Sequence, residues 1–229
     1  MGSFFRRLIS YREQPGIRLI VFDFDGTLAD TRELLLKIVS KHLARFNISM
    51  TKHLLMQFGN APLTDYLSWT GLHTDLVRSV SAAITEDFMA EYEDIEPCKN
   101  LMAVKNIQVK KVIVSNNITS FIQKALHFFH ANFFDAVYGA DQFNNKVQMI
   151  RSLFRKYRFA PVEAVYVGDK NIDVAVARAV GCYSVIIAGK SAWSSRADIL
   201  KQRPDYILTD LGKLPAVISG LNAQQLPAV

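Results

Sequence analysis

The sequence predicts an α/β protein: a parallel sheet with helices on both faces, plus an all-helical insertion after the first strand. Three observations carry this expectation. Six short runs rich in β-branched and aromatic residues recur along the 229 residues, each almost continuously apolar, as strands covered on both faces are. Helical patterns lie between most of them, the alternation that a parallel sheet with crossover helices requires. One interval, between Asp30 and Pro97, carries helical patterns and nothing that reads as a strand.

Taken in order, residues 1–17 form a basic arm, and "RLIVFDFD" (18–25) is the first strand, ending in Asp23 and Asp25. The insertion, residues 31–97, opens at Asp30-Thr31-Arg32-Glu33, which has capping-box spacing. Leu34, Leu35, Ile38, Val39, His42 and Phe46 follow on one helical face. Gly59, Asn60 and Pro62 mark a turn before a further helix, and "TDLVRSVSAAITEDFMAEYE" reads as one longer helix. The core, 18–30 and 98–220, resumes with the strand "VKKVIVSNN" (109–117). Residues 119–131 are helical, with Thr119 or Ser120 able to cap the start and Phe121, Ala125, Phe128 and Phe129 at helical spacing. His127 and His130 ride on this segment without an acidic or cysteine partner at ligand spacing, and read as ordinary side chains. The remaining strands are "FDAVYGAD" (134–141), "EAVYVGD" (163–169), "YSVIIAG" (183–189) and "DYILTD" (205–210), and residues 221–229 are a tail.

Composition narrows the functional classes. Half the residues are hydrophobic and about a fifth charged, as in a soluble globular protein. No apolar run approaches the roughly 20 residues that span a bilayer. The N-terminus has neither a continuous apolar segment nor a small-residue cleavage site, so a secretory signal is not expected. Cys98 and Cys182 lie far apart in unrelated contexts and read as reduced thiols of a cytoplasmic protein. The net charge is +6, and Arg6, Arg7, Arg12 and Arg18 against Glu13 put half of it in the first 18 residues. That pattern reads as a solvated arm, and nucleic acid is not an expected partner. The sequence carries no signal for an oligomeric state.

In an open α/β sheet, ligands bind beyond the carboxyl ends of the strands. The polar residues there are Asp23 and Asp25 after the first strand and Ser115, Asn116 and Asn117 after the second. Gly168 and Asp169 end the run at 163–169, with Asp173 four residues on. Four carboxylates on one edge repel one another unless positive charge sits among them. A hard divalent cation answers that, and Mg²⁺ takes one or two carboxylates together with substrate phosphate oxygens.

These residues carry a resemblance. "DFDGTLAD" resembles the first motif of the haloacid dehalogenase superfamily in its Asp-x-Asp phosphohydrolase form, and "VIVSNN" resembles the second. "NNKVQMI" resembles the third, a lysine opening a helix, although Val147 stands where relatives usually have proline. "VGDKNIDVAVARAVG" is similar to the fourth, and the four span most of the chain in the family's order. The helical insertion resembles the cap of the phosphoglycolate phosphatase-like and β-phosphoglucomutase-like branch.

The resemblance implies a Rossmann-like core with a helical cap domain, and a Mg²⁺-dependent phosphatase acting on a small phosphorylated metabolite. It implies Asp23 as nucleophile and Asp25 as general acid and base. Gly26 and Thr27 would turn the backbone past the phosphate, with Thr27 among the substrate-binding residues. Ser115 and Asn116 would donate to phosphoryl oxygens, and Lys146 would neutralise nucleophile and phosphate. Asp23, Asp169 and the backbone carbonyl of Asp25 would bind the metal, with Asp173 holding its waters or Lys146. Gly59 and Asn60, in the turn "FGNAPL", are the candidates for a loop that faces the site from the cap, the alternative being a solvent turn with no role. A phosphomutase using the same intermediate and a catalytically silent phosphate-binding module are the alternatives. Dehalogenation is disfavoured because Asp25 is present.

Overall fold

Residues Leu19–Phe22 form the first strand (β1), and none of the four has any solvent exposure. Alternation along the strand sends Leu19 and Val21 into one apolar cluster and Ile20 and Phe22 into another, so the strand needs a covering layer on each face. The structure, a computed structural model, describes residues 16–58 and 61–223. Most of the basic arm, Gly59 and Asn60, and the tail from residue 224 lie outside them.

After β1 the chain makes a tight loop and a two-residue strand, Ala29–Asp30 (β2), antiparallel to Glu96–Pro97 (β3). Between these lie four helices, Arg32–Ala44 (α1), Lys52–Gln57 (α2), Leu63–Ser68 (α3) and Thr74–Ala90 (α4). The β2–β3 ladder was not expected from sequence, because two residues a side are too few to show alternation. Asp87 ties α4 to α1 by accepting from Lys41 and pairing with His42, both at 3.0 Å.

The remaining strands are Lys110–Val114 (β4), Ala136–Tyr138 (β5), Ala164–Gly168 (β6), Tyr183–Ile187 (β7) and Tyr206–Leu208 (β8). They pair in the order β5-β4-β1-β6-β7-β8, every ladder parallel, so all six carboxyl ends share one edge. The six expected strands are all present. Helices Thr119–Phe128 (α5), Lys146–Tyr157 (α6), Asn171–Val180 (α7), Arg196–Lys201 (α8) and Leu214–Ala223 (α9) complete the fold. Ile150, Leu153 and Phe154 of α6 with Ala177 and Val180 of α7 cover the Leu19/Val21 face. Phe121, Ile122 and Ala125 of α5 with Leu214, Ile218 and Leu221 of α9 cover the Ile20/Phe22 face. The insertion joins this second cluster: Phe88 of α4 stacks on Phe121 with ring centroids 4.1 Å apart.

Two expected helix starts differ. Thr31 is the N-cap of α1 and its side chain caps nothing, because its hydroxyl donates to Asp25 Oδ1 at 2.8 Å. In α5 neither Thr119 nor Ser120 is the N-cap. Instead the Thr119 amide and hydroxyl both donate to Asp141, at 2.7 and 2.9 Å, so a loop far along the chain closes that helix end. Two expected core residues are exposed: Phe46, beyond the end of α1, and Phe128, on the outer side of α5.

Candidate active site

The chain moves outward to one side after β1 and, by crossing back to β6, to the other side afterwards. The crevice between β1 and β6 is therefore the topological switch point, where open α/β sheets bind ligands. Asp23 follows β1 there and Asp169 follows β6, and the Asp23 amide donates to Val167 carbonyl at 2.8 Å, holding the two strand ends side by side. Asp173 lies in the first turn of α7 and accepts from the Asp169 and Lys170 amides at 3.0 and 2.9 Å. One oxygen from each of Asp23, Asp169 and Asp173 lies within 4.8 Å of the other two, and all three residues are buried.

Two lysines answer this charge. Lys146, first residue of α6, pairs with Asp23 Oδ2 at 3.0 Å. Asn145 fixes that helix start by accepting from the Gln148 amide. Lys170, also buried, is surrounded by the carboxylates of Asp23, Asp173, Asp169 and Asp25. Burial pushes Asp23 up, but Lys146 and then Lys170 outweigh it and hold the carboxyl below its usual range. Asp25, two residues on, goes the other way: burial and then the charge of Asp23 push it up, against hydrogen bonds from Thr31 and Asn117. Burial also raises Asp169, well above its usual range, against Lys170 and with Asp173 and Asp23 adding to the rise. Asp173 is raised by burial and by Asp23.

A buried all-carboxylate cluster of this kind fits a hard divalent cation, which favours the ionised form of every member. Asp169 is oriented for that role by Thr27, whose hydroxyl donates to Oδ1 at 3.1 Å, and by the Trp193 amide, which donates to Oδ2 at 2.6 Å. Gly26, at φ +74°, lets the loop pass against this carboxylate: a Cβ there would sit 2.7 Å from Asp169 Cγ.

The expected site residues divide as follows. Asp23, Asp169, Asp173 and Lys146 converge. Asp25 is not on the strand, as its spacing suggested, but in the loop that follows it. Its carboxylate lies outside the three-aspartate cluster and is held by Thr31, by Asn117 Nδ2 at 3.1 Å and by Ser115 Oγ at 3.4 Å. Thr27 does not face the cavity: it has no exposure and its hydroxyl is committed to Asp169. Ser115 is likewise fully buried and turned to Asp25 rather than toward a ligand. Asn116 does line the cavity beside Asp23 and Asp25. Gly59 and Asn60 lie outside the described residues.

Sequence reasoning passed over four residues. Asn117, grouped with its neighbours, grips Asp25 together with Thr31 and Ser115. Tyr166 looks like any strand aromatic, yet it accepts from Lys146 at 3.2 Å and donates to Asp173 at 3.1 Å, linking the third and fourth motifs. Lys170 was hidden inside the fourth motif; a cation directly after Asp169 was the available signal. Trp193 had no local signal, since its neighbours come from distant loops. Its ring stacks on Phe58 of the insertion with centroids 5.2 Å apart, and the Lys170 ammonium lies over the same ring, 5.2 Å from its centroid.

Above Asp23 and Asp25 a cavity of about 310 Å³ opens between the sheet edge and the inserted helices. A second space of about 240 Å³ lies beside Lys146 and Asp173 and shares Asn116 and Lys170 with the first.

The sequence profile of the haloacid dehalogenase-like hydrolase family matches residues 20–187. Among curated proteins, the phosphoglycolate phosphatase of Haemophilus influenzae is 25% identical over 221 residues, covering 88% of this chain and 98% of its own. The pyrophosphatase PpaX of Listeria monocytogenes is 24% identical over 218 residues, covering 88% and 96%. Among solved structures, a haloacid dehalogenase-like hydrolase from Streptococcus pneumoniae superimposes with a TM-score of 0.74 at 21% identity, over 88% of this chain and 98% of that one. With its profile matched from β1 through β7 and its carboxylates gathered at the switch point, this chain belongs to the haloacid dehalogenase-like hydrolase family.

Proposed function

We propose that this hydrolase is a phosphatase that cleaves small phosphomonoesters through a phosphoryl group carried on Asp23. The observation that carries this reading is the unlike setting of two buried carboxyls two residues apart: Lys146 lies 3.0 Å from Asp23, and Asp25, beside the same cavity, accepts from Thr31, Asn117 and Ser115. Asp23 is held ionised by Lys146 and Lys170, while Asp25 is pushed toward its protonated form beside the same cavity. A nucleophile and an acid are what the two halves of phosphate transfer need.

In the first half, an Asp23 oxygen bonds to phosphorus and the ester P–O bond breaks. Its electron pair stays on the leaving oxygen, which takes the proton of Asp25. In the second half, the Asp25 carboxylate takes a proton from water as that water's oxygen bonds to phosphorus. The bond to Asp23 breaks and inorganic phosphate leaves. Lys146 and Lys170 stabilise the negative charge on the transferring group, and Asn116 donates to it from the cavity wall. Tyr166 keeps Lys146 and Asp173 in register. Asn117, Ser115 and Thr31 aim Asp25.

Asp23, Asp169 and Asp173, with the backbone carbonyl of Asp25, would hold Mg²⁺. Bound there, it would neutralise phosphoryl oxygens and orient them for in-line attack. We take residues 31–97 as a cap domain on a core of 18–30 and 98–220, with the leaving group between them. Both cysteines are free, and burial pushes each thiol up to about 12, which supports unreactive, structural thiols.

The test is a phosphomonoester panel assayed with and without Mg²⁺. Phosphate release that needs the metal and disappears in Asp23→Asn supports the reading. Full turnover in excess chelator, or by Asp23→Asn, contradicts it.

A further inference from the structure

The cavity over Asp23 has two unlike halves. Its floor carries Asp23, Asp25, Asn116 and Lys170, the groups assigned above to the phosphoryl end. The rest of its wall is apolar and aromatic, with Phe58, Tyr66, Ile84, Phe88 and Met89 from the insertion and Trp193 from the core. Among the described residues, the polar groups the insertion adds are the neutral hydroxyls of Thr64, Tyr66, Ser81 and Thr85. Among the described residues lining the cavity, Lys170 is the sole cation, and it stands at the floor among four carboxylates. The other charged side chain among the described lining residues is an anion, Asp141, beside the Asn117 loop and kept ionised by its bonds from Thr119.

A substrate with a second anionic group, a carboxylate or another phosphate, would have to place it against this wall. There it would lose its hydration to apolar side chains and find no cation among the described residues. Burying an unpaired charge is among the most unfavourable things a binding site can do. An uncharged apolar group meets the opposite balance, because it gains from leaving water and fills space between rings. The volume, about 310 Å³, is at the small end for ligand pockets, and room for one ring beyond the phosphoryl group is what it offers.

We propose that the substrate is a phosphomonoester of an uncharged, largely apolar alcohol about the size of one ring, in contrast to the anionic substrates in the relatives' names. This deepens the phosphatase reading and rests on it.

The experiment compares benzyl phosphate with phosphoglycolate and pyrophosphate, with Mg²⁺ present. The first two both leave through a CH₂–O oxygen, so their ratio reads the pocket rather than the reactivity of the leaving group. Benzyl phosphate is expected to exceed phosphoglycolate in kcat/KM by about tenfold or more, the scale of a misplaced group in a shaped pocket. Thr85→Arg, which adds a cation to the apolar wall, is expected to move that ratio toward phosphoglycolate. Equal or better turnover of phosphoglycolate or pyrophosphate by the wild-type protein overturns the inference and leaves the phosphatase reading standing. No turnover of any ester overturns both. The wild-type ratio decides the matter even if the variant does not fold.

Discussion

Asp23 and Asp25 are both buried and are separated by one residue, yet their environments pull them apart. Lys146 lies 3.0 Å from Asp23, whereas Asp25 accepts hydrogen bonds from the neutral side chains of Thr31, Ser115 and Asn117. Lys146→Ala should cut kcat by roughly a hundredfold, the loss of one preorganised electrostatic stabiliser. Lys146→Arg should rescue it only in part, because a planar fork does not replace a compact ammonium. Lys156, which donates to Tyr138 at 2.9 Å outside the site, serves as the control, and Lys156→Ala should turn over at the wild-type rate. Tyr166→Phe should keep the fold and lower kcat by roughly tenfold, the scale of losing a group that orients a charged neighbour. Steady-state kinetics on the four variants checks these outcomes, and a harmless Lys146→Ala would show that the third motif is misplaced. The carboxylates and Lys146 were legible because each ends a strand or opens a helix in a fixed local pattern. Tyr166 and Trp193 were not, because what they do depends on neighbours brought in from elsewhere in the chain.

At the scale of the element, two loops set the site. Gly26 holds φ +74° against Asp169, so Gly26→Ala combines a strained backbone with a clash. It should destabilise the fold by about 1–3 kcal/mol in urea denaturation and abolish activity. Asp141 closes the amino end of α5 through Thr119. Burial pushes its carboxyl up, but those two bonds outweigh it and leave it lowered. A carboxyl lowered in the folded state stabilises fully above its unfolded value, about 3.9, and that stabilisation fades as pH falls through the folded value. Asp141→Ala should thus cost roughly 1 kcal/mol at neutral pH, as lost helix caps do, and the gap should narrow below about pH 4. A gap that stays constant down to acid pH would rule out the charged cap. The extent of α5 was readable from its apolar spacing. Its cap was not, since Asp141 lies 22 residues beyond Thr119.

For the whole molecule, the parallel sheet and its helical insertion were readable from runs and periodicity, because both depend on local pattern. How the insertion sits on the sheet was not, since it depends on pairs such as Phe88–Phe121 and Phe58–Trp193. Those pairs make the insertion part of the same apolar cluster as one face of the sheet. Phe88→Ala should therefore destabilise the protein by about 3–5 kcal/mol and do so in a single unfolding transition. Two separate transitions would mean that insertion and sheet fold independently.

The central claim is that the phosphoryl group passes through Asp23 and that Asp25 is needed to remove it. Asp25→Asn mixed with 4-nitrophenyl phosphate tests it most directly, because nitrophenolate leaves without a proton from residue 25. The account predicts a burst of nitrophenolate equal to the enzyme present, followed by turnover slowed by roughly 10²–10⁴-fold. Borohydride reduction of the stalled protein should then mark residue 23. Slow release with no burst, or a mark on any other residue, would contradict the account.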